Sequence, residues 1–154
     1  MTSRANIDRT RVREAVEAAE RQTSAEIVVS IAPFFFGSVQ RAADRAFMRL
    51  GVAHTRRRNG VLVFVVPARH QVIVIGDDGA VARVDPAVWQ DVASQIAQAF
   101  ARGAGTAGLV DGIGRLAHVL SGPFPHQPGD INELPDLPDT RAPRKAVATP
   151  PSRA

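Results

Sequence analysis

NGVLVFVVPARHQVIVIGDD, residues 59–78, contains two short apolar runs and an acidic end, and its reading decides the architecture. Residues 61–66 and 72–75 are continuous, β-branched and bounded by turn residues. They are too short for globular helices and too uniformly apolar for half-exposed strands. Strands of this kind are usually covered on both faces. Between them lie only Pro67, Ala68, Arg69, His70 and Gln71. That loop permits an antiparallel hairpin but not a parallel crossover, which needs about a dozen residues or more. The two strands are therefore expected to be neighbours that deliver Asp77 and Asp78 into a turn at the sheet end.

Upstream, Asn6 or Asp8 can cap a first helix in which Ile7, Val12, Ala15, Val16 and Ala19 share a face, ended by Thr23 and Ser24. Residues 25–32, AEIVVSIA, read as a first strand closed by Pro33. Phe34, Phe35 and Phe36 read as a core plug or packing wedge in preference to a membrane foot. Ser38 can cap a second helix running to Leu50, which Gly51 stops in a left-handed conformation.

Downstream, Gly76-Asp77-Asp78-Gly79 is a turn by composition, and Asp85-Pro86 is an N-cap with proline at the first helical position. Trp89, Val92, Ile96 and Phe100 then form one face, with Trp89 a core residue rather than a ligand platform. Thr106 can cap a last helix whose inner face is Leu109, Ile113, Leu116 and Leu120, with Gly108, Gly112 and Gly114 allowing close packing. The expected fold is α/β, a three-layer α/β/α sandwich with a small mixed sheet including the central hairpin. The body is expected to occupy residues 1–122, and the proline-rich residues 123–154 a disordered tail.

The 154 residues, 45% of them hydrophobic, suffice for one core. The absence of cysteine excludes disulfides, thiolate catalysis, zinc ribbons and iron–sulfur clusters. The N-terminus carries charge without an apolar core segment, and no apolar run approaches a membrane span. A soluble, cytoplasmic protein is expected. Formal charge is +4, and the four acids of residues 121–154 balance its four bases, so the excess belongs to the body. With no tyrosine and one tryptophan, the chain lacks the stacking platforms of a single-strand binder, and no nucleic-acid partner is expected.

The series TSAEIVV, RNGVLVFVV, RHQVIVIGDDG and Trp89…Phe100…GL…GI resembles the TPM domain over residues 7–120. The GDDG turn and the FPHQPGDINELPD stretch are most similar to short bacterial members without membrane anchors. The resemblance implies an α/β/α sandwich. It also implies two activities described for members of the family: binding of calcium or another divalent cation, and acid phosphatase activity.

The residues themselves leave two accounts of the acidic turn open. Asp77, Asp78 and Asp85 could be part of an oxygen shell for Ca²⁺ or Mg²⁺, completed by carbonyls, waters and Glu26 or Asp44, although the spacing is not that of an EF-hand. Alternatively, Asp77 and Asp78 stabilise a tight turn and Asp85 caps a helix. A metal-dependent phosphomonoesterase would need cations on the phosphoryl oxygens, with Arg58 and Arg69 as the candidates, and a metal-activated water at the turn. Arg56, Arg57 and Arg58 could equally be a solvated loop, and Glu26 could pair with Arg58 instead of ligating. His54 and His70 have no partner at metal-ligand spacing, and His118 reads as a packing residue. The competing function is a non-catalytic module with a protein partner. NELPD, residues 132–136, could then dock in the partner's groove, fold back on its own domain, or serve only as a solubilising end.

Overall fold

A computed structural model describes residues 6–127. Three strands, β1 (Glu26–Ile31), β2 (Gly60–Val66) and β3 (Gln71–Gly76), form one mixed sheet in the order β1-β2-β3. β2 and β3 are the antiparallel hairpin expected from their loop, with Val63 opposite Val74. β1 runs parallel to β2, with Val29 opposite Val63. The connection between them contains helix α2 (Val39–Arg49).

Strand alternation sorts the sheet's side chains into two cores. Val61, Val63 and Val65 of β2 join Ile27 and Val29 of β1 on one face. Over them lie α1 (Arg9–Glu20), α4 (Pro86–Ala101) and α5 (Gly105–Ser121). Leu62, Phe64 and Val66 join Val28 on the other face, under Val39, Ala42, Ala43 and Ala46 of α2. Helices thus cover both faces, and every residue of β2 is buried.

The caps explain where helices begin. Asp8 caps α1 by accepting from the Arg11 amide (3.1 Å), and Ser38 caps α2 by accepting from the Arg41 amide (3.1 Å). Asp85 does the same for α4 through Ala87 (2.9 Å). Gly51, at φ 72°, stops α2 as expected. Thr106 does not cap α5: Ala104 holds that position, and the Thr106 hydroxyl instead accepts from the Asp8 amide (3.1 Å), tying α5 to the start of α1.

Two glycines set the α4–α5 distance. A Cβ at Gly108 would lie 2.3 Å from the Ala99 Cβ, and one at Gly112 would lie 2.5 Å from Ile96 Cδ1. Gly114 faces open space, so close packing accounts for only part of the glycine content of α5.

Packed structure continues past the expected boundary at 122. Phe124 is buried in the core, its carbonyl accepts from the Ser24 amide (2.9 Å), and Pro125 bridges to Thr23. The NELPD stretch, residues 132–136, lies outside the described residues.

Candidate functional site

The acidic turn is built by the end of the hairpin. The Asp77 amide still donates to the Gly60 carbonyl (2.9 Å), so the backbone leaves the ladder only after Asp77. It then enters a four-residue helix, α3 (Asp78–Val81), with Asp77 at its N-cap. The Asp77 carboxylate accepts from the Asp78 amide at 2.8 Å. Gly79 passes so close to the 56–58 loop that a Cβ there would lie 2.5 Å from the Arg57 carbonyl oxygen.

Arg58 closes the turn. Its Nε donates to Asp77 Oδ2 at 2.6 Å and a terminal nitrogen donates to Oδ1 at 2.9 Å. This is the two-pronged geometry that makes arginine–carboxylate pairs strong. The Arg58 backbone is left-handed, φ 54°, which is uncommon for a side-chain-bearing residue, and its carbonyl accepts from the Gly79 amide (2.9 Å). Asp77 is 4% exposed, whereas the Arg58 side chain is 51% exposed. Burial alone would push the Asp77 carboxyl up. The Arg58 hydrogen bonds, the Asp78 amide and the charges of Arg58 and His54 outweigh that and hold it below the ordinary aspartate range.

The arginines of the basic loop are exposed to solvent, while its two ends are anchored. Thr55 and Asn59 are buried and hydrogen-bonded to each other, and Asn59 Nδ2 donates to the Ser24 carbonyl (3.3 Å). Arg57 donates to Ser24 Oγ (2.7 Å) and Gln127 Oε1 (2.8 Å), joining the start of β1 to the chain beyond α5.

The remaining expected site residues are dispersed. Asp78 points to solvent at 92% exposure, with its nearest oxygen 3.7 Å from Arg58. Asp85 is the α4 cap. Glu26 is buried at the start of β1, opposite Gly60, at the same sheet end as Asp77. Asp44 is on the exposed side of α2 and accepts from Gln40 (3.0 Å). Among the described residues, no three His, Asp or Glu side chains gather as a metal-binding group. Arg58 and Arg69 lie beyond opposite ends of the seven-residue β2, about 20 Å apart along the strand, and do not converge on one anion. The partner of Arg58 is Asp77 rather than Glu26, and His118 is exposed on α5.

Arg69 acts at the other end of the sheet. It donates to the carbonyls of Phe35 (3.2 Å) and Gly37 (2.8 Å), and its guanidinium stacks on the Phe35 ring at 5.5 Å. Phe35 packs on the α2 side of the core, but Phe34 and Phe36 are 53% and 89% exposed. They meet edge to face at 4.9 Å. The triple phenylalanine is therefore no core plug. One ring anchors the loop and two project from it, an outcome foreshadowed only by the Gly37-Ser38 break that prevents a regular element from burying all three.

Among the described residues, no helix is long and apolar enough to cross a membrane. The family model described as the TPM domain matches residues 5–119. Among solved structures, the chain is similar to the BA42 protein of the psychrophilic bacterium Bizionia argentinensis, determined by NMR. Identity is 28% and the TM-score 0.81, with 91% of this chain and 99% of that chain covered. Among curated proteins, none matches.

Proposed function

The chain belongs to the TPM domain family, and we propose that it is a non-catalytic binding module whose acidic turn is a structural clasp. One observation carries this reading: the buried carboxylate of Asp77 is already neutralised by the Arg58 fork at 2.6 and 2.9 Å and also holds the Asp78 amide. A divalent cation at Asp77 would have to compete with Arg58 for a carboxylate that already accepts three hydrogen bonds. It would then find the exposed Asp78 nearby, while Asp85 is engaged in capping α4. Ca²⁺ takes six to eight oxygens and Mg²⁺ a strict octahedron, so most of the shell would have to be water and backbone. Phosphoryl transfer is equally poorly served, because the two candidate arginines serve opposite ends of the sheet.

The test is turnover of a generic phosphomonoester by the full chain with Ca²⁺ or Mg²⁺, beside Asp77→Asn. The module reading predicts no turnover above buffer in either protein. Metal-dependent turnover abolished by Asp77→Asn, with the variant still folded, would overturn it and restore a metal-activated water at the turn.

A further inference from the structure

The feature the acidic turn does not explain is the projecting aromatic pair at the opposite sheet end. Exposed phenylalanine in a mobile loop would be unremarkable, but this loop is held. Arg69 grips two of its carbonyls and stacks on its middle ring, Ser38 fixes its exit by capping α2, and Gly37 turns at φ 110°. The ordering entropy of displaying Phe34 and Phe36 is therefore spent in folding rather than in binding.

Arginines flank the loop. Arg41 is exposed in the first turn of α2, Arg45 follows one turn later, and Arg69 is fixed beneath the loop. Between residues 33 and 50 and across the hairpin loop 67–71, Asp44 is the only acid. It is hydrogen-bonded to Gln40.

Resting on the binding-module reading, we propose that this aromatic knuckle is a peripheral docking foot for an anionic lipid bilayer. The shape favours lipid over protein: Phe36, 89% exposed, is a convex tip, and a rigid tip needs either a matching pocket or a surface that yields. An interface of headgroups and acyl chains yields, and it accepts apolar tips while anionic headgroups neutralise the cationic rim. Two weak signals, an apolar wedge and a basic rim, are what reversible attachment requires.

The test is sedimentation of the full chain with vesicles of phosphatidylcholine containing about 30% phosphatidylglycerol, against pure phosphatidylcholine, at low and high salt. Binding to the anionic vesicles that weakens with salt is expected. Phe36→Ser should lower partitioning about tenfold, and Arg41→Gln about fivefold. Both side chains are exposed, and circular dichroism verifies that the variants fold. Three results overturn the foot: no binding to anionic vesicles at low salt, equal binding by Phe36→Ser, or light scattering that shows self-association lost in Phe36→Ser without vesicle binding. The phosphomonoester assay is independent. Turnover there sinks the module reading, whereas its absence together with absent vesicle binding sinks only the foot.

Discussion

Substituting Asp77→Asn isolates the clasp. Asparagine keeps one side-chain oxygen, so either the Asp78 amide or one Arg58 nitrogen retains an acceptor, but the charge and the two-pronged pairing are lost. A hydrogen bond involving a charged group is worth about 1.5–3 kcal/mol. The value here is discounted because Arg58 is half exposed and rehydrates once released. The expected loss for Asp77→Asn is about 1–2 kcal/mol at pH 7, or roughly 2–8 °C in the thermal midpoint for a chain of this size. The pH dependence gives a second readout. The Asp77 pKa is depressed in the folded state, so the unfolded chain takes up its proton first as pH falls. The clasp's contribution is complete above the unfolded value of about 3.9 and is lost as pH drops through the folded value. The gap between wild type and Asp77→Asn, read by urea unfolding from pH 7 downward, should therefore close below that point. Equal stability at pH 7, or a gap that persists unchanged in acid, would refute the assignment of Asp77 as a charged structural clasp.

Other substitutions test the packing. Gly108→Ala should destabilise by about 1–3 kcal/mol, because two Cβ atoms cannot share 2.3 Å, while Gly114→Ala, facing open space, should stabilise by about 1 kcal/mol; denaturant midpoints compare them. Thr23→Val removes a hydroxyl that donates to the Phe124 carbonyl and accepts from the Ala25 amide, and should cost about 1–2 kcal/mol by thermal unfolding. Ser38→Ala should cost about 1 kcal/mol of stability and also accelerate amide exchange at Arg41, whose N–H loses its acceptor where the aromatic loop enters α2.

The parts of the fold legible in the sequence were those governed by local rules. The uninterrupted β-branched runs and the five-residue loop required a hairpin, and Asp8, Ser38 and Asp85 marked helix starts because capping chemistry acts within three residues. What the sequence left open depends on distance in the chain. Arg58 and Asp77 are 19 residues apart, and nothing in their spacing distinguishes that pair from Arg58 with Glu26. Thr106 has the composition of a cap but is used 98 residues away at Asp8. Phe124 follows glycine and proline in a stretch that reads as tail, yet the gap beside Thr23 buries it. The aromatic triplet failed for a geometric reason: a loop turning at Gly37 can direct only one of three successive rings inward.

The central claim, that the acidic turn is occupied by its own arginine, is tested most directly by calorimetric titration of Ca²⁺ and Mg²⁺ into the full chain and into Asp77→Asn. The clasp predicts no saturable heat that depends on Asp77, with the variant less stable but otherwise indistinguishable. Saturable binding that Asp77→Asn abolishes while the unfolding midpoint stays in place would contradict it and make Asp77 a cation ligand.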